Sequence, residues 1–172
     1  MKPIHQNRDW KLSYDVIKKI GRGGFSVTAS VKLKGTNNIF AAKKTTLTGS
    51  NPENKRRALN EMKSHKTFDF PFIVPFHEGY RDQNYLVIIM ELCEGGDLYQ
   101  LLQNQRRIGK YLTEDQIMVW FVELLLAVDY LHKKNFLHCD LKSANVFFTK
   151  DYRLQLGDFG MITSATALGK LC

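Results

Sequence analysis

The sequence predicts an α+β chain in two lobes, and three observations carry that prediction. Extended, alternating runs crowd residues 14–92, helical periodicity dominates 97–134, and short apolar runs between polar turns fill 136–160. Strands first and helices afterwards, rather than an alternation of the two, point to segregated layers. The division falls near Glu91–Gly96. Residues 1–13 then read as a polar, frayed tail, 14–90 as a complete first lobe, 91–96 as a hinge and 97–172 as part of a second lobe.

Tyr14–Ile20 is the first expected strand, broken by Gly21-Arg22-Gly23-Gly24-Phe25-Ser26. Val27, Ala29, Val31 and Leu33 then alternate with mostly polar neighbours, the period of a half-buried strand. Gly35-Thr36-Asn37-Asn38 is turn chemistry, and Ile39–Lys43 resumes an extended run. Asn51 before Pro52 is a helix start, a cap residue followed by proline at the first helical position. Ala58, Leu59 and Met62 give that helix a narrow apolar stripe up to about Lys66. Pro71 and Pro75 exclude helix from Phe70–Phe76, which reads as a buried extended connector. Two strands flank Asp82-Gln83-Asn84, the second being Tyr85–Leu92.

Asp97 is placed to cap a short helix through Arg107, and Thr113-Glu114-Asp115-Gln116 matches a capping box. Behind it Ile117, Trp120, Phe121, Leu124, Leu125, Val128 and Leu131 recur at helical spacing, so one long helix runs to about Lys134.

Composition removes other classes. With 172 residues, 44% hydrophobic and 24% charged, the chain is neither disordered nor fibrous. The longest apolar stretches, Leu86–Met90 and Trp120–Val128, are far too short for a membrane span. The first residues hold no apolar signal-peptide core, which makes a cytoplasmic location, or a nuclear one, the expectation. Cys93, Cys139 and Cys172 are odd in number and lack any CxxC, which argues against a disulfide framework and a zinc site. Residues 1–60 carry 13 Lys/Arg against 3 Asp/Glu, a balance suited to a polyphosphate, an acidic partner or nucleic acid. No RNA- or DNA-binding motif accompanies it.

Taken singly, a Gly-x-Gly turn, a strand lysine or an Asp-Phe-Gly triplet says little. Their order says more. Gly21-x-Gly23 precedes Ala41-Ala42-Lys43, then Glu61, then Met90–Asp97, then His138-Cys139-Asp140-Leu141-Lys142-Ser143-Ala144-Asn145, and finally Asp158-Phe159-Gly160. That set is the protein-kinase signature. From Tyr14 onwards the chain resembles a eukaryotic protein kinase. Asp140-x-Lys142-x-x-Asn145 looks like the serine/threonine form, and Glu91–Leu102, Asp115–Phe121 and Leu154–Gly160 are most similar to the NIMA-related kinases.

The resemblance implies a bilobal kinase-like fold, ATP and Mg²⁺ as cofactors, and a protein substrate offering Ser or Thr. Phosphoryl transfer demands positioning and charge neutralisation more than covalent chemistry. Gly21 and Gly23 would let backbone approach phosphates, Lys43 would contact the α- and β-phosphates, and Glu61 would hold its flexible stem. The backbone of Glu91 and Cys93 would meet the adenine edge and Asp97 the ribose. Asn145 and Asp158 are hard oxygen ligands for Mg²⁺. Asp140 would accept the hydroxyl proton, Lys142 would neutralise the transferred group, and His138 would brace the loop.

Four departures qualify this. Ser26 replaces the third loop glycine, Thr28 replaces the valine over the adenine, and Cys139 replaces the arginine before the catalytic Asp. The last places the chain with kinases whose activation loop is not ordered through that arginine, leaving Thr163, Ser164 and Thr166 as ordinary loop hydroxyls. Only 12 residues follow Gly160, with no Ala-Pro-Glu-type motif, so the sequence reads as truncated within the second lobe. Trp120, Phe121, Leu124 and Leu125 are then expected to be exposed, open to a protein partner. The competing function is a non-catalytic nucleotide-binding module that acts through such a partner.

Overall fold

The structure, a computed structural model, describes residues 2–168. Two compact units divide the chain: Met1–Phe68 with Pro75–Leu92, and Asp69–Val74 with Cys93–Cys172.

The first unit is built on a six-stranded sheet in the order β1-β5-β6-β4-β3-β2. Its strands are β1 (Ile4–Gln6), β2 (Tyr14–Arg22), β3 (Ser26–Leu33), β4 (Ile39–Thr46), β5 (Phe76–Arg81) and β6 (Tyr85–Glu91). All neighbours pair antiparallel except β1 with β5. The apolar run in β6 serves both faces, because successive side chains point to opposite sides. Val87 and Ile89 join Trp10, Tyr14, Val31, Ala42 and Tyr80 on one face. Leu86 and Ile88 join Leu47, Phe76 and the helix residues Ala58 and Met62 on the other. That helix, α1 (Pro52–His65), is capped by Asn51, whose side chain accepts from the Asn54 N–H.

The expected frayed tail at residues 1–13 is corrected. β1 and a 3₁₀ turn at Trp10–Leu12 both lie there, and Trp10 is buried. One tryptophan and one isoleucine supply enough apolar area to hold an otherwise polar segment against the sheet. The extended connector expected over Phe70–Phe76 is corrected: a turn at Pro71–Phe72 closes through Ile73 N–H to Phe70 O at 3.0 Å, strand begins only at Phe76, and Asp69–Val74 belongs to the second unit rather than the first. Val74 N–H donates to Leu156 O at 3.0 Å and Leu156 N–H to Phe72 O at 2.8 Å.

In the second unit, α2 (Leu98–Arg107) starts at Asp97, which accepts from Gln100 N–H at 2.8 Å. α3 (Glu114–Lys133) starts at Thr113, which accepts from Gln116 N–H at 3.2 Å. β7 (Gly96–Asp97), β9 (Val146–Phe148) and β10 (Leu154–Leu156) form one small sheet. β8 (Phe136–Leu137) and β11 (Thr163–Ser164) form another, followed by the short helix α4 (Ala165–Leu168). The expected exposure of the α3 face holds for Phe121 and Leu125, each about half exposed. It fails for Trp120. That ring lies 4.5 Å from Phe148, its Nε1–H donates to Tyr152 O at 3.1 Å, and only 7% of the residue is exposed. Leu124 is half-buried. Among the described residues no helix is long and apolar enough to cross a membrane. Cys93 is half-buried and Cys139 exposed, while Cys172 lies outside the described residues.

Candidate active site

Each unit carries a group of the residues singled out in the sequence. In the first, Gly21 lies near the end of β2, opposite Thr28 of β3, and Gly23 sits in the turn between the two strands. Gly23 N–H donates to Ser26 O at 2.8 Å, and a Cβ at 23 would stand 2.8 Å from Ser26 Oγ, so the turn closes most easily on glycine. A Cβ at Gly21 would meet Thr28 only at ordinary contact distance, 3.6 Å. Packing within the fold therefore leaves glycine at 21 unexplained.

Lys43 follows Ala42 on β4, and alternation sends it to the sheet face that α1 covers. There its Nζ donates to Glu61 Oε1 at 2.7 Å, with the two side chains 13% and 7% exposed. Glu61 reaches this place because its neighbour Met62 and Ala58, one helical turn earlier, anchor α1 to the sheet. At an effective dielectric of about 20, unit charges about 3 Å apart attract by roughly 5–6 kcal/mol, much of it offset by the desolvation of both ions. The pair thus fixes geometry more than it adds stability. Glu91 ends β6, where its backbone N–H is committed to Pro75 O at 3.0 Å.

The second unit holds the other group. Cys93 Sγ donates to Gln155 Oε1 at 3.3 Å, and Asp97 serves as the cap of α2. The loop from His138 to Asn145 folds around a single carboxylate. Asp140 Oδ2 accepts from Lys142 Nζ at 2.7 Å and from Asn145 Nδ2 at 2.9 Å, and the same Nδ2 reaches Asp140 O at 2.8 Å. Oδ1 of Asp140 has no hydrogen-bond partner among the described residues. Beneath it, Asp140 N–H donates to His138 Nδ1 at 3.3 Å, which assigns the ring proton to Nε2, donated to Gly157 O at 3.0 Å. Burial lowers the His138 pKa below its ordinary value and keeps the ring neutral, consistent with a brace.

Asp158 adopts φ +56°, a left-handed backbone that sets its exposed carboxylate apart from the fully buried ring of Phe159. Phe159 packs edge-on against His138 at 5.4 Å. Cys139 is also left-handed, at φ +62°, and exposed. Gly157 is the residue the sequence reading overlooked. It accepts from His138, donates to Asn145 O at 3.0 Å, and has no room for a side chain, since a Cβ would lie 2.9 Å from Phe147 and Val74. The signal was present, because a glycine stands directly before Asp158 in the Leu-Gly-Asp-Phe-Gly run.

Comparison with known proteins gives a consistent picture. Residues 14–170 match the protein kinase domain family. Serine/threonine-protein kinase Nek3 of Mus musculus is 39% identical over 151 residues, 86% of this chain and 28% of that protein. Serine/threonine-protein kinase Nek11 of Homo sapiens is 38% identical over 151 residues, 86% of this chain and 23% of that protein. For Nek1 of Mus musculus the identity is 33% over 162 residues, 92% of this chain and 13% of that protein. The chain thus spans less than a third of the length of these curated relatives.

Proposed function

The chain belongs to the protein kinase family, and on that premise we propose that it is a serine/threonine protein kinase moving the γ-phosphoryl group of ATP to a protein hydroxyl. The observation that carries the reading is the geometry of Asp140. With Oδ2 clamped by Lys142 and Asn145, Oδ1 is the oxygen left to receive the proton of an incoming Ser or Thr hydroxyl. The hydroxyl oxygen attacks the γ-phosphorus, the bond from that phosphorus to the β,γ-bridging oxygen breaks, and ADP leaves with the bond's electrons. Lys142 neutralises charge that develops on the group in transit.

Lys43, held by Glu61, is the cation for the α- and β-phosphates, and the glycines at 21 and 23 let backbone approach the same anion, although the Gly23 N–H itself is committed to Ser26 O. Glu91 and Cys93 would meet the adenine edge through their backbones; at Glu91 this role falls to the carbonyl, since the N–H is committed. Asp97 would use the carboxylate oxygen not spent on its cap to bind ribose. The donor set fits Mg²⁺. Asn145 commits its Nδ2 to Asp140, so its carboxamide oxygen is the end for a cation, and Asp158 adds an exposed carboxylate. Asn145 and Asp158 would hold Mg²⁺, which would supply neutralisation of phosphate charge.

The experiment is phosphoamino-acid analysis of a generic basic protein incubated with the chain, γ-labelled ATP and Mg²⁺. Metal-dependent phosphoserine or phosphothreonine is expected. Label on tyrosine alone, or none, overturns the reading.

A further inference from the structure

The segment before Tyr14 is tied to α1 as well as to the sheet. Lys2 Nζ donates to Phe68 O at 2.9 Å, just beyond the C-terminal end of α1. Pro3 O accepts from Gly79 N–H at 3.0 Å, and Ile4 stands opposite Gly79 in the parallel ladder. Ile4 packs against the cluster that holds Ala58 and Met62 of α1. Gly79 is the point of contact between strand and helix, since a Cβ there would lie 2.9 Å from Met62 Cε. Glu61 is the residue before Met62. His5 secures the segment from its other side, bonding Glu78 at 2.8 Å and stacking on Tyr80 at 4.7 Å.

α1 needs such support. Apart from Pro52, its fourteen residues offer Ala58, Leu59 and Met62 as aliphatic contacts, joined in the last turn by the His65 ring, edge-on to Phe76 at 5.5 Å, a narrow stripe to fix a helix by itself. We propose that Lys2–Gln6 form an intramolecular clamp on α1 that positions Glu61 against Lys43, so that this strand sets the affinity of the chain for nucleotide phosphate. Ile4 and Lys2 are positioning residues in this scheme. The inference rests on the kinase reading only for the identity of the ligand; the coupling of β1 to α1 stands apart from it.

The test uses Ile4→Asp, with Ile4→Val as the conservative control, each in the wild-type and the Glu61→Gln background. Amide hydrogen exchange across α1 and calorimetric binding of MgATP are the two readouts. Ile4→Asp is expected to speed exchange in α1 by about tenfold while the β2–β3 amides keep their rates, and to weaken MgATP binding by about tenfold. Ile4→Val restores both, and Ile4→Asp adds nothing to the binding defect of Glu61→Gln. Unchanged exchange in α1, or binding defects that simply add, overturns the clamp. Should Ile4→Asp fail to fold, Lys2→Ala decides, with faster α1 exchange expected and unchanged exchange contradicting. A wild-type chain that binds no MgATP defeats the kinase reading, and the exchange arm alone then judges the clamp.

Discussion

Replacing Glu61 by glutamine keeps the volume and one acceptor oxygen of the side chain but removes the charge facing Lys43. The two side chains are 13% and 7% exposed at a separation of 2.7 Å, so the lysine would be left as a buried cation with a neutral partner. Deleting one member of a buried pair costs about 3–5 kcal/mol. Glutamine retains a hydrogen bond to the ammonium, which recovers about 1.5–3 kcal/mol of that. The expected loss of folding stability is therefore about 2 kcal/mol, within bounds of about 0–3.5 kcal/mol, read from urea denaturation at pH 7. A second signature separates this pair from a surface one. Glu53 binds Arg56 and Arg57 at 2.9 Å on the exposed side of α1, where salt screens it, whereas the loss from Glu61→Gln should persist at high ionic strength. Loss of the charge also lets the lysine stem wander, and kcat/KM for ATP should fall by about a hundredfold, roughly 2.7 kcal/mol. A variant with unchanged stability and unchanged kcat/KM would refute the idea that this pair organises the phosphate-binding residues.

Two further outcomes follow from the second unit. Burial keeps His138 neutral below its ordinary pKa of 6.5, whereas in the unfolded chain it takes up a proton near that value. Its contribution is therefore intact above about pH 6.5 and lost as the pH falls from there toward the depressed folded value, at up to about 1.4 kcal/mol per pH unit; denaturation midpoints between pH 7.5 and 5.5 should show this slope, and His138→Asn should flatten it. Gly157→Ala places a methyl 2.9 Å from Phe147 and Val74, and should lower stability by about 1–3 kcal/mol in a denaturant titration, with wild-type stability contradicting the packing account.

Legibility in the sequence tracked the range of the forces involved. The caps of α1, α2 and α3 at Asn51, Asp97 and Thr113 were readable because a cap acts over three residues, and each side chain accepts a backbone N–H where expected. The 138–145 loop stands out in the sequence because His138, Asp140, Lys142 and Asn145 fall at the fixed offsets of the family signature. β1 does not. Its partner is Gly79, far along the chain, and three residues carry no period to detect. Nor could periodicity say which side of α3 is covered. Met118, Val119, Val122 and Leu126 are as apolar as Trp120, so the stripe that packs is chosen by Phe148 and the Tyr152 carbonyl, both distant in sequence. The prolines at 71 and 75 exclude helix from Phe70–Phe76, but they do not foretell the turn at Pro71–Phe72 or the pairing of Phe72 and Val74 with Leu156 that puts Asp69–Val74 in the second unit. Gly157 shows the limit from the other side, because its importance lies in the space around it.

The role of Asp140 is the centre of this account, and one comparison tests it directly: MgATP affinity and single-turnover phosphoryl transfer measured side by side for the wild type and Asp140→Asn. Asparagine keeps the shape of the side chain but cannot accept the hydroxyl proton as a carboxylate does. The account predicts unchanged nucleotide affinity and a transfer rate reduced by about 10²–10⁴-fold. Equal transfer rates in the two proteins would contradict it.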